Sequence, residues 1–188
     1  MRYLYPLFYA ALLFCFSPIP NLFAQQWKRL SQSPLGLSYE VPRNWFVGGV
    51  LDEKQCNCES GTLNSSMKDQ TNMVVFASRT LSLAEMQAQN LEGYHFLEAP
   101  NSSQQLKTEF FEFEKQSSRW REDATLQVVR LSATREGRHY LIYFWGEAAA
   151  LLAQKENLTR IISSIRPATP ANSENSAPAM SAPDKDKN

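Results

Sequence analysis

Two segments of the chain, NMVVFASR (72–79) and HYLIYFW (139–145), are apolar on both sides of an extended backbone. In the second, Tyr140, Ile142 and Phe144 fall on one side, and His139, Leu141, Tyr143 and Trp145 on the other. Side chains alternate between the faces of a strand, so a segment of this kind needs cover above and below. That requirement excludes a sheet with one wet face at its centre. It calls for a layered domain in which other elements close over the sheet. With 188 residues and 43% hydrophobic content, the chain has material for one core of ordinary size.

The remaining pattern supplies candidates for those layers. GLSYEVP (36–42) sets Leu37, Tyr39 and Val41 against Ser38 and Glu40, a half-buried strand stopped by Pro42. Trp45 and Phe46 follow and are expected to close over the core. Residues 48–72, rich in Gly, Asn, Ser, Asp and Lys, read as one long loop, and loops of that length are often functional or mobile. Ser82 and Glu85 have the spacing of a capping box, which predicts a short helix from Leu83 that ends near Gly93. Beyond Thr108 the period is again two: Phe111 and Phe113 alternate with Glu112 and Glu114, and LQVVRLSA (126–133) follows. Arg135-Glu136-Gly137-Arg138 is a hairpin turn leading into 139–145. Ala148, Leu151, Leu152, Leu158, Ile161, Ile162 and Ile165 then form one helical stripe over about Glu147–Ser164, ended by Pro167. The order β–loop–β–α–β–β–β–α predicts an α+β domain, mainly antiparallel sheet with helices on both faces.

Both ends of the chain differ from this pattern. Residues 1–24 combine Arg2, an apolar run from Tyr3 to Phe16, the breakers Ser17, Pro18 and Pro20, and Ala24 before Gln25-Gln26. That is the pattern of a secretory signal peptide, with an apolar run too short to span a bilayer. Cys15 makes a poor lipoprotein site because Phe14 before it is not small. The expectation is therefore an exported, periplasmic or secreted protein with no stable membrane insertion after cleavage. Residues 167–188 are rich in Pro, Ala, Ser and Asn and hold no aromatic residue, which predicts a disordered tail. The domain is expected over 25–166, its folded core running from Trp27 to Arg166.

The opening strand with its Pro-x-x-Trp (GLSYEVPRNWF), the central meander, the Gly-turn hairpin and the closing helix ending IISSIRP together resemble the PsbP-like fold over about residues 30–166. That superfamily includes an extrinsic photosystem II subunit, a nuclear Ran-binding protein and many exported bacterial proteins. The resemblance implies an α/β/α sandwich and an accessory, partner-binding role rather than catalysis. It carries no site residues across.

Residue chemistry points the same way. The chain holds 19 Lys+Arg against 19 Asp+Glu, so no basic excess exists for binding nucleic acid. Ser117-Ser118 and Ser163-Ser164 lack a nucleophile elbow, and Gly48-Gly49 lacks the Lys-Ser/Thr pair of a phosphate loop. His95 and His139 each sit beside aromatic residues, as packed histidines do. Cys56 and Cys58, the two cysteines left after export, are the sharpest local feature. They are open to three readings: a disulfide, free or intermolecularly paired thiols, or metal or redox chemistry, with a soft metal such as Cu(I) on the thiolates or a harder divalent ion assisted by the flanking Asp52, Glu53 and Glu59. Arg119-Trp120-Arg121 is the candidate partner-binding surface, with both arginines on one face, Trp120 opposite, and Phe110 as a further contributor. The expectation is a non-catalytic accessory protein with no cofactor that binds a protein partner. The alternative is a metal- or small-ligand-binding protein using Cys56 and Cys58.

Overall fold

The structure, a computed structural model, describes residues 25–51, 56, 58–90 and 103–168. The segment read as a signal peptide, most of the tail, His95, Asp52 and Glu53 lie outside them. The strands are β1 (Trp27–Gln32), β2 (Leu37–Pro42), β3 (Phe46–Leu51), β4 (Ser60–Ser66), β5 (Thr71–Ser78), β6 (Ser103–Lys107), β7 (Glu112–Arg119), β8 (Leu126–Arg135), β9 (Arg138–Glu147) and β10 (Arg166–Pro167). The helices are α1 (Leu83–Gln89), α2 (Ala148–Ala153) and α3 (Lys155–Ser163).

The doubly apolar segments are neighbours at the middle of a seven-stranded sheet ordered β3-β4-β5-β9-β8-β7-β6. β5 and β9 pair antiparallel, with Val75 opposite Ile142 and Val74 opposite Tyr143. One set of side chains, including Val75, Ile142, Phe144, Leu131 and Phe113, joins a cluster with Tyr39, Trp45, Leu151 and Ile161. The alternating set, Val74, Phe76, Leu141, Tyr143 and Val128, packs with Met86 of α1 and with Cys58. The molecule is thus an α+β protein dominated by antiparallel sheet. A smaller three-stranded sheet, β1-β2-β10, carries the Leu37, Tyr39 and Val41 side of the first cluster.

Local chemistry explains the boundaries. Ser82 caps α1 in a complete capping box: its hydroxyl accepts from the Glu85 amide while the Glu85 carboxylate accepts from the Ser82 amide. Glu136 and Gly137 both adopt positive φ, 50° and 71°, the requirement of a two-residue type I′ hairpin turn. The closing stripe is two helices rather than one, because Gln154 sits at φ −92°, ψ 7° between them. Pro167, placed in the tail by its composition, instead pairs with Leu37, and the Ala168 amide donates to the Gly36 carbonyl at 2.9 Å.

The ion pairs dock α3 onto the small sheet. Glu40 accepts from Arg29 at 2.9 Å and from Arg160 at 3.1 Å, and the Arg160 guanidinium lies 4.1 Å from the centre of the Trp27 ring. Ser164 completes the junction, its hydroxyl accepting from the Glu40 amide at 2.8 Å.

The 48–72 loop reading is corrected by the structure. β3 extends to Leu51, β4 occupies 60–66 and β5 begins at Thr71, so most of this stretch is sheet. β4 escapes a hydrophobicity reading because its alternation is inverted. Thr62 and Asn64 are fully buried, whereas Leu63 is 37% exposed. Asn64 is satisfied in part by donating from Nδ2 to the buried Tyr39 hydroxyl at 3.1 Å. Gly48 lies in the register shift between Val47 and Val50 on edge strand β3, where a Cβ would approach the Leu63 carbonyl to 2.8 Å.

Candidate binding surface

The face of β7 is set by Phe113, which is fully buried in the first cluster. Alternation then puts Lys115, Ser117 and Arg119 on that same face, toward α2 and α3. In register these residues lie opposite Leu131, Val129 and Gln127 of β8. Helical cover does not reach the far part of this face, and a groove of about 270 Å³ opens there. Val129, Phe144, Leu151 and Leu152 line it together with Lys115, Lys155 and Gln127. Leu152 is 72% exposed on α2, so its side chain projects from the helix at the groove's edge. Arg119 is exposed and directly opposite Gln127, a lining residue, without lining the groove itself.

Trp120 follows the other face. Its ring stacks on Trp145, centroids 6.2 Å apart, and packs against the second cluster. Arg121 is exposed in the turn after the strand. Phe110 sits before the start of β7, whose eight residues end at Arg119, a strand length of ~26 Å. It packs against the first cluster, and its carbonyl accepts from Arg135 Nη1. The structure therefore does not gather Arg119, Trp120, Arg121 and Phe110 into one patch. Arg119 instead shares its face of β7 with Lys115, which lines the groove.

Cys56 and Cys58 are joined by a disulfide in the structure, with Cα atoms 5.3 Å apart. Cys58 is buried beside Phe76 and Met86, and Cys56 is partly buried at the same cluster. Among the described residues, no group of three or more His, Cys, Asp or Glu side chains comes together that could hold a metal ion. Glu59, one of the flanking acids, accepts from the backbone amides of Arg79 and Thr80. His139 contacts Thr134 across the β8–β9 hairpin, Nδ1 to Oγ1 at 2.7 Å, so it belongs to the turn.

Lys115, Lys155 and the groove were not legible as a site in sequence. The available signal was Lys115 itself, a cation that continues into β7 the apolar alternation of Phe111 and Phe113.

No protein-family model matches the chain, and no curated protein matches it. Solved structures do. The fold is PsbP-like. The solution structure of cyanobacterial PsbP (CyanoP) from Synechocystis sp. PCC 6803 is similar at a TM-score of 0.57 and 9% identity, covering 81% of this chain and 99% of that one. A crystal structure from Bacteroides thetaiotaomicron VPI-5482 is similar at a TM-score of 0.51 and 11% identity, over 76% of this chain and 49% of that one. LpqN, described as involved in cell envelope biogenesis of Mycobacterium tuberculosis, gives a TM-score of 0.47 at 8% identity, over 78% and 92% of the two chains. At these identities the likeness is one of fold. Among the described residues no helix is long and apolar enough to cross a membrane.

Proposed function

We propose that this chain is an exported, non-catalytic accessory protein that acts by binding a protein partner. The observation that carries the reading is the exposed Arg119, opposite the groove-lining Gln127 on the β7–β8 face. Arginine is enriched among the residues that carry binding energy in interfaces. The PsbP-like α+β fold, dominated by antiparallel sheet, supports it. The sequence of residues 1–24 supports export to the periplasm or medium. Trp120 contributes by holding the strand through its stack on Trp145 rather than by direct contact.

The test is capture of partners from the native envelope or secreted fraction on immobilised protein, with Arg119→Glu beside the parent. The reading expects one stoichiometric partner whose retention falls at least tenfold in the variant. Trp120→Ala is the weaker probe, because it also removes core packing.

A metal- or small-ligand-binding role at Cys56 and Cys58 is the second reading. It requires the disulfide to open, since only reduced cysteines offer two thiolates. Uptake of Cu(I) by reduced protein, lost in Cys56→Ser/Cys58→Ser, is its test.

A further inference from the structure

We propose that the groove between β8–β9 and α2–α3 binds a single-chain anionic amphiphile, a fatty carboxylate. Its chain lies against Val129, Phe144, Leu151 and Leu158, and its carboxylate is held by Lys115 and Lys155. This goes beyond the partner reading, since the ligand is a small molecule and its contacts do not include Arg119.

Three observations carry it. The lining is predominantly aliphatic, with a few polar groups, the make-up of small-molecule sites. Both charged lining residues are cations, and no carboxylate lines the groove among the described residues. Neither lysine is engaged in an ion pair within the described structure, so their charges are available to a ligand. Lysine suits this arrangement because its methylene stem extends an apolar wall while the ammonium stays in water.

Size and charge select the occupant. At about 270 Å³ the cavity falls below the ~300–1,000 Å³ typical of drug-sized ligands. One alkyl chain fits that space better than a fused-ring cofactor or two acyl chains. Two cations and no carboxylate among the described lining residues favour an occupant with an anionic head.

The experiment is a methyl NMR titration of the folded protein with octanoate, decanoate and dodecanoate below their micelle concentrations. Dodecyltrimethylammonium and phosphatidylglycerol vesicles serve as parallel probes. Binding should perturb the methyls of Val129, Leu151 and Leu152 and tighten about fourfold per added methylene until the groove is full. Lys115→Glu/Lys155→Glu should weaken dodecanoate at least tenfold. The exposed change Leu152→Lys, which leaves the core intact, should disturb the chain-length dependence. Val129→Trp should block binding, with its melting curve showing that it still folds. The proposal is overturned if the cationic amphiphile binds as well as dodecanoate. It is equally overturned if the lysine variant binds like the parent, if only vesicles bind, or if the shifts report self-association.

Discussion

Tyr39 is completely buried, and its hydroxyl accepts a hydrogen bond from Asn64 Nδ2 at 3.1 Å. Burial pushes its pKa from 10.0 up to about 12, the hydrogen bond from Asn64 only partly opposing that rise. Between those values the unfolded chain has released the tyrosine proton while the folded chain retains it. The unfolded state then binds fewer protons, so stability falls as pH rises. The contribution is fully present below pH 10 and is lost through pH 12, by about 3 kcal/mol for two pKa units. Tyr39→Phe removes this titration but leaves the buried Asn64 amide without its acceptor, which costs ~1–3 kcal/mol at neutral pH. The assay is urea unfolding of both proteins, followed by circular dichroism, at intervals from pH 7 to 11.5. The stability difference, parent minus Tyr39→Phe, should be positive at pH 7 and decline steadily above pH 10. Using the difference cancels Tyr140, whose pKa is also raised by burial and which both proteins share. A difference that stays flat from pH 9 to 11.5 would refute the argument, as would a variant more stable than the parent at pH 7.

Three further expectations concern the fold that positions the proposed binding face. In Gly146→Ala the new methyl would meet the Gln70 carbonyl at 2.4 Å, on the strand pair where Thr71 faces Gly146. A loss of ~1–3 kcal/mol in thermal or urea unfolding should follow. Glu40 is partly desolvated, which pushes its pKa up, but the hydrogen bonds and charges of Arg160 and Arg29 outweigh this and hold it below the usual 4.5. Its stabilisation is therefore present above pH 4.5 and lost as pH falls through the folded value, so Glu40→Gln should flatten the acid side of the stability curve and cost under ~1 kcal/mol at pH 7. Thiol titration of the unfolded domain should find no free thiol at Cys56 and Cys58 until reductant is added, and Cys56→Ser/Cys58→Ser should cost about 1.5 kcal/mol, as expected for so short a loop.

The parts of the fold legible in sequence were those where hydrophobicity and geometry agree. β5 and β9 announced a covered central sheet because both of their faces are apolar, and the capping box located α1. The turn at Arg135–Arg138 was readable from its polar residues and from Gly137, which adopts positive φ without strain. β4 was illegible for the opposite reason. Its buried face is Thr62 and Asn64, whose polarity is tolerated through Tyr39, a partner 25 residues away in sequence. β1 was missed because its partly buried residues, Trp27, Lys28, Leu30 and Gln32, mix apolar and polar chemistry. Of the site, Arg119 was visible as a charged residue beside an aromatic one, and its separation from Trp120 followed from strand alternation. Its neighbours were not visible. The groove depends on where α2 and α3 stop covering the sheet, a three-dimensional edge that no local pattern encodes. Lys155 and Lys115 are 40 positions apart in the chain and come to one groove only through the helix–sheet packing.

The account rests on Arg119 marking a binding face, and paired capture experiments test it most directly. Parent and Arg119→Glu proteins, matched for melting temperature, are immobilised and exposed to the same envelope or secreted fraction at several salt concentrations. The account predicts a stoichiometric partner on the parent that falls at least tenfold on the variant, with the difference narrowing as salt rises. Equal capture by the two proteins, or no stoichiometric partner at any salt, would contradict it.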